Sequence, residues 1–216
     1  MGYIYRATRT AISLALPLQL RLRVSGRENI PAKGPALLVS NHLSLIDPLA
    51  IGVSLSRELH ILAKSEVFDW PVIGGLARLC GVIPIRRGQW DVAALAVLEE
   101  QLRAGHCALI FPEGTYPKPP RPAALLQFKI GAAWVAARVH APVAPVAIWG
   151  SEPVWAPGRG WRPWRRPEVH IRFGQPYFPQ FSANHSSYGA LRPIADEMAR
   201  HVRDLLPERY HGYYHA

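Results

Sequence analysis

Short apolar runs, each about one strand long, recur through the middle of this chain, separated by segments with helical spacing. Ala36-Leu37-Leu38-Val39-Ser40 follows the turn-forming Lys33-Gly34-Pro35 and reads as a buried strand. Residues 59–63, 82–85, 107–111, 143–149 and 169–173 read the same way. Between them, residues 71–79, 91–103 and 125–139 have helical character. In the second of these, Val92, Leu95, Ala96 and Leu102 share a face and Gly105 ends the helix. Leu191, Ile194, Ala195, Met198, Val202 and Leu205 trace the stripe of a final amphipathic helix. Strands alternating with helices imply βαβ units. The fold class that follows is α/β: a single domain with a largely parallel β-sheet flanked by helices. At 216 residues and 49% apolar composition, one such domain buries a proper core without metals or disulfides.

Ligands of such sheets bind beyond the carboxyl ends of the strands, so the polar residues that follow each strand are the candidates. The first strand runs into Asn41-His42-Leu43-Ser44-Leu45-Ile46-Asp47-Pro48. On a straight helix, His42 and Asp47 would be separated by about 7.5 Å and about 140° and could not meet. They meet if the chain turns between them, with Asp47 as N-cap and Pro48 in the first helical turn. Asp47 would then hold one imidazole nitrogen and leave the other as a general base. The strand at 82–85 ends in Arg86-Arg87, a fork suited to phosphate. The strand at 107–111 ends in Pro112-Glu113-Gly114-Thr115: a carboxylate, a flexible backbone and a hydroxyl. Each segment also has a plainer reading: a routine Asp-Pro helix start, a solvated basic loop, a solvated loop acid.

Taken together, the segments resemble the lysophospholipid acyltransferase family, of the 1-acylglycerol-3-phosphate acyltransferase type. The resemblance rests on NHxSxxD (Asn41, His42, Ser44, Asp47), GxIPIxR (Gly81 to Arg87), FPEGT (Phe111 to Thr115) and the Pro-rich apolar stretch Ala141 to Ile148. Ala63-Lys64-x-Glu66-x-Phe68 and Phe128-Lys129-x-Gly131-Ala132 also look familiar, and the likeness covers about residues 25–175. It implies a glycerolphosphate-acyltransferase-like fold and transfer of a fatty acyl chain from acyl-CoA or acyl carrier protein, with no cofactor and no metal. It further implies that His42 deprotonates the acceptor hydroxyl while Asp47 orients it. The implied substrate-binding set is Asn41, Ser44, Lys64, Arg86, Arg87, Glu113, Gly114, Thr115 and Lys129, with Arg87 at the family's phosphate-binding position. The implied acceptor is the sn-2 hydroxyl of 1-acylglycerol 3-phosphate. Glycerol 3-phosphate, another lysophospholipid, a lyso-aminolipid, or a lipid-binding role without catalysis are the alternatives. One departure keeps the acceptor open: Tyr116 stands where many members carry Arg, so Lys118, Lys129 or Arg86 would have to supply the charge.

The formal charge of +10 suits an anionic partner. No nucleic-acid signature accompanies it, so an anionic membrane surface is the expected partner rather than nucleic acid. No stretch of 18 apolar residues occurs, and no small-residue cleavage site follows the run at 11–20. Residues 3–20 read as a helix with Ala11, Leu14, Ala15 and Leu18 on one face, lying either on a membrane or on the protein's own core. The expected organisation is an N-terminal membrane-surface helix at 1–24 and an acyltransferase domain at 25–216, peripheral or monotopic on the cytoplasmic face of the cell membrane. Residues 149–172 interleave Trp149, Trp155, Trp161 and Trp164 with Arg residues and read as a second membrane-facing element, a loop. Cys80 and Cys107 form no CxxC pair and read as packing residues.

Overall fold

A computed structural model describes residues 2–71, 73–86, 91–117, 123–154, 166–181 and 187–215. Among them, seven strands form one sheet: β1 (Arg21–Ser25), β2 (Ala36–Ser40), β3 (Leu59–Lys64), β4 (Ile83–Ile85), β5 (Cys107–Ile110), β6 (Val143–Trp149) and β7 (Glu168–Phe173). Their order is β1-β7-β6-β2-β5-β3-β4. Every neighbouring pair is parallel except β6 and β7. The domain is therefore a mostly parallel α/β sheet, and the ends of β2, β3, β4, β5 and β6 open on one edge. The helices are α1 (Gly2–Gln19), α2 (Asp47–Ser54), α3 (Ile73–Leu79), α4 (Val92–Arg103), α5 (Gly131–Val139) and α6 (Tyr188–Arg203).

The central strands β2, β5 and β6 are buried along their whole length, as continuous apolar runs covered on both faces should be. Successive residues of β2 serve opposite cores. Leu37 and Val39 pack with Leu98, Leu102, Ala133 and Val202 of α4, α5 and α6. Ala36 and Leu38 pack with Leu16, Leu20 and Ile51 on the side of α1 and α2. Each such Leu, Ile or Val side chain contributes about 1.5–3 kcal/mol through burial.

Three local expectations change. The helix expected over 125–139 starts at Gly131. Leu125 and Phe128 give their backbone N–H groups to Tyr210 and Tyr214, and Lys129 gives its own to Pro112, so tertiary partners replace helical ones. The run Arg21–Ser25, left unassigned by the alternation, is strand β1 and pairs with β7. The 149–172 stretch is not one loop: Trp149 closes β6 and Arg172 lies in β7. Trp149 stacks on His170 at 4.8 Å and carries the Arg172 guanidinium over its ring, so this Trp is a packing residue. Trp155, Trp161 and Trp164 lie outside the described residues.

Helix α1 has two apolar faces. Tyr5, Leu16 and the half-buried Ile12 turn inward, while the stripe of Ala11, Leu14, Ala15 and Leu18 is exposed, Leu14 at 72% and Leu18 at 73%. Among the described residues, no helix is long and apolar enough to cross a membrane.

Candidate active site

The turn between β2 and α2 brings His42 and Asp47 together. Asp47 is the first residue of α2, and Ile46, not Asp47, occupies the N-cap position. The Asp47 carboxylate turns back into the loop instead of capping the helix. Its Oδ2 accepts from the backbone N–H groups of Leu43 at 2.6 Å and Ser44 at 2.8 Å, and lies 2.9 Å from His42 Nδ1. The carboxylate is fully buried and His42 is 3% exposed. With Oδ2 accepting, Nδ1 carries the hydrogen and Nε2 keeps the lone pair. Three donors on one oxygen fix both the ring's orientation and its tautomer. Such an arrangement can serve as a general base whose other nitrogen is aimed by its partner.

Two aromatic rings bound the imidazole. Phe111, at the end of β5, stacks on it with centroids 4.3 Å apart and planes at 26°. Tyr116 meets it edge-on at 5.2 Å and 75°. Sequence reasoning took Phe111 as a strand residue and Tyr116 only as a departure from a pattern. The signal available was their flanking of the Pro112–Thr115 turn, next to the strand that precedes His42.

Glu113 is buried, and its Oε1 accepts from the His42 backbone N–H at 3.4 Å, which ties the end of β5 to the end of β2. Burial first, and then the nearby Asp47, push its carboxyl well above the usual range. Such a carboxyl binds its proton more tightly in the folded state than in the unfolded chain. Its stabilising contribution is full below about pH 4.5 and is lost as pH rises toward the folded value. Glu113→Gln keeps an acceptor for His42 and removes that pH dependence. The melting temperature of this variant should gain on wild type as pH rises from about 5 to about 8, which thermal denaturation across that range measures.

The other sequence-predicted residues separate into groups. Gly114 sits at φ +67°, a backbone conformation that favours glycine, and Lys129 crosses the turn there, its Nζ 2.7 Å from where a Cβ would lie. The Lys129 backbone N–H also donates to Pro112 at 2.9 Å. Thr115 is exposed beside them. The structure thus brings Glu113, Gly114, Thr115 and Lys129 together next to His42. Asn41 is spent on the scaffold: its amide donates to the Ile148 carbonyl and accepts from the Ile148 N–H, both at 2.8 Å. Ser44 is buried, and its hydroxyl donates to the Val154 carbonyl. Lys64, at the end of β3, pairs with Glu66 at 2.5 Å and holds that carboxyl down at about 2. Arg86 is exposed, and Asp91 accepts from its backbone N–H at 2.9 Å. Arg87 and Lys118 lie outside the described residues.

Beside His42 opens an apolar cavity of about 330 Å³. Its walls come from α1 (Ile12, Leu16), α2 (Leu49), β3 (Ile61) and α3 (Ile73, Ala77), and both His42 and Phe111 line it. Composition and strand reading gave no sign of this cavity, because its lining comes from five separated segments.

A family model described as Acyltransferase matches residues 21–149. The chain is 33% identical over 141 residues to a chloroplastic 1-acyl-sn-glycerol-3-phosphate acyltransferase of Arabidopsis thaliana, a match covering 64% of this chain and 38% of that protein. It is 40% identical over 99 residues to a lyso-ornithine lipid O-acyltransferase of Rhodobacter capsulatus, covering 45% of this chain and 34% of that protein. The matched regions thus span well under half of these relatives. The crystal structure of the 1-acyl-sn-glycerophosphate acyltransferase of Thermotoga maritima superimposes with a TM-score of 0.68 at 27% identity, over 94% of this chain and 80% of the other. A mostly parallel sheet with the His42–Asp47 pair at its carboxyl edge, together with a family match over more than half of its length, places this chain in the acyltransferase family.

Proposed function

We propose that the protein transfers a fatty acyl chain from an acyl thioester, acyl-CoA or acyl carrier protein, to the sn-2 hydroxyl of 1-acylglycerol 3-phosphate. The observation that carries this reading is the oriented His42 base on the wall of an apolar cavity. The cavity takes the acyl chain and places the thioester carbonyl beside His42. The acceptor hydroxyl gives its proton to His42 Nε2, and its oxygen attacks the carbonyl carbon. The carbon–sulfur bond then breaks, and the departing thiolate takes the proton back from the imidazolium. A thioester is already activated, so no covalent enzyme intermediate is needed. The thiols are poor candidates for one: burial pushes the Cys107 thiol up to about 12 and raises that of Cys80. Asp47 balances the imidazolium charge as it forms. Glu113, Gly114, Thr115 and Lys129 form the acceptor side.

A second reading keeps the chemistry and changes the acceptor to a lyso-aminolipid. The 40% identity to the Rhodobacter enzyme favours it, as does the aromatic Tyr116 beside His42. Incubating the protein with labelled acyl thioester and a panel of acceptors decides between them. Labelled phosphatidic acid supports the first reading, a labelled aminolipid supports the second, and no labelled lipid from any acceptor overturns both.

Cavity depth sets acyl length on this reading. Ala77→Trp fills the cavity from α3, and the preferred donor should shift to a shorter chain by several carbons. Competition between thioesters of different lengths measures that shift. The protein works at a bilayer surface, held by the outward stripe of α1 and by its positive charge. Leu14→Ser with Leu18→Ser should reduce flotation with anionic liposomes several-fold; undiminished flotation would contradict this docking mode.

A further inference from the structure

The segment after α6 lies beyond the residues matched by the family model and reaches the acceptor side of the site. Two short turns, Glu208–Tyr210 and Gly212–Tyr214, run alongside residues 124–129. The Tyr210 carbonyl accepts from Leu125 N–H at 2.8 Å, and Tyr213 N–H donates to the Leu125 carbonyl at 2.9 Å. The Tyr214 hydroxyl accepts from Phe128 N–H at 3.1 Å and donates to Asp196 on α6 at 2.8 Å. Arg192 of α6 donates to the Phe128 carbonyl at 2.5 Å. Gly212 has φ +50°, and a Cβ there would lie 2.3 Å from the Leu125 carbonyl oxygen. On the other flank, the Tyr210 hydroxyl donates to Glu152 at 2.6 Å. Glu152 lies in the loop whose Val154 carbonyl receives the Ser44 hydroxyl.

Residues 125–130 have the spacing of a helix, yet both backbone groups of Leu125 and the N–H of Phe128 are held by this segment, with Arg192 on the Phe128 carbonyl and Pro112 on the Lys129 N–H. The contest is between local helix formation and tertiary partners, and the tertiary partners win. The outcome decides where Lys129 sits, because the residue that crosses Gly114 follows directly after Phe128.

We propose that residues 208–214 are a strap that holds the acceptor-side wall of the active site in place, with Tyr214 and Gly212 as positioning residues acting through Lys129 and Gly114. The strap belongs to the α4–α5–α6 side of the sheet, where Tyr210 is part of the core and Tyr214 packs against it. The apolar cavity draws most of its walls from α1, α2, α3 and β3. Loosening the strap should therefore affect the acceptor and spare the donor. This inference rests on the reading that the acceptor binds against residues 113–115 and 129.

The test uses full-length Tyr214→Phe, which removes one hydroxyl, beside Gly212→Ala, which forces the two backbones apart. With Tyr214→Phe, KM for the acceptor should rise about five- to tenfold, while KM for the acyl donor stays within about twofold. Amide hydrogen exchange should quicken at 111–116 and 124–129 and stay unchanged in α1 and α3. Gly212→Ala should show the same pattern more strongly. Equal changes in the two KM values, or an unchanged acceptor KM with unchanged exchange, would overturn the strap. A wild type inactive with every acceptor would overturn the acyl-transfer reading instead, and the exchange measurement would still decide the strap.

Discussion

Replacing His42 by Ala is expected to lower kcat by about 10²–10⁴-fold, the usual contribution of a positioned general base. The KM values for donor and acceptor should change little, because the imidazole's work is in the transition state. Folding should survive. The side chain's hydrogen bond is to Asp47, and two backbone N–H groups still occupy that carboxylate in the variant. Steady-state kinetics beside a thermal melt check both halves. Activity within a few-fold of wild type in a folded His42→Ala protein would remove the base from the account.

Asp47→Asn should cost a comparable factor by a different route. The amide has nearly the shape of the carboxylate, and its oxygen still accepts from Leu43 and Ser44. That same oxygen still faces Nδ1, while the NH2 group takes the place of Oδ1, which has no hydrogen-bond partner among the described residues. What the variant loses is the negative charge that balances the imidazolium as it forms. We expect kcat to fall on the order of 10²–10⁴-fold with little change in melting temperature. Asp47→Ala should be worse for the fold. It leaves the Leu43 and Ser44 N–H groups without the carboxylate they share, at a cost of about 1–3 kcal/mol for each unpaired buried donor. A large drop in melting temperature for Ala beside a near-normal one for Asn separates the two roles of this residue. Equal activity in Asn and wild type would contradict the need for that charge.

The sheet was legible where burial imposes uniform composition. β2, β5 and β6 are buried on both faces, so their residues are almost wholly apolar and stand out as runs. β1 escaped because it is an edge strand: Arg21, Arg23 and Ser25 face solvent, and five mixed residues directly after a helix leave no pattern. The start of α5 was misplaced because residues 125–130 carry helical spacing while Leu125 and Phe128 find their backbone N–H partners in Tyr210 and Tyr214, far along the chain. Pairings at that range leave no local trace.

The site was legible to the same extent. His42, Asp47, Glu113, Gly114, Thr115 and Lys129 were singled out from strand ends and motif spacing, and they converge. Asn41 and Ser44 come from the same motif, yet their polar groups are spent on Ile148 and Val154. A motif marks residues that must be present without distinguishing chemistry from support. The ring contacts of Phe111 and Tyr116 depend on side-chain directions that spacing does not encode.

The proposed chemistry is direct transfer from thioester to lipid hydroxyl, driven by His42 without an acylated enzyme. The most direct measurement is to incubate the protein with a labelled acyl thioester, first alone and then with the lysolipid acceptor, and to count label in both lipid and protein. Labelled diacyl lipid should form only when the acceptor is present, with no label on the protein at any time. Label held covalently by the protein, or no labelled lipid from any acceptor, would contradict it.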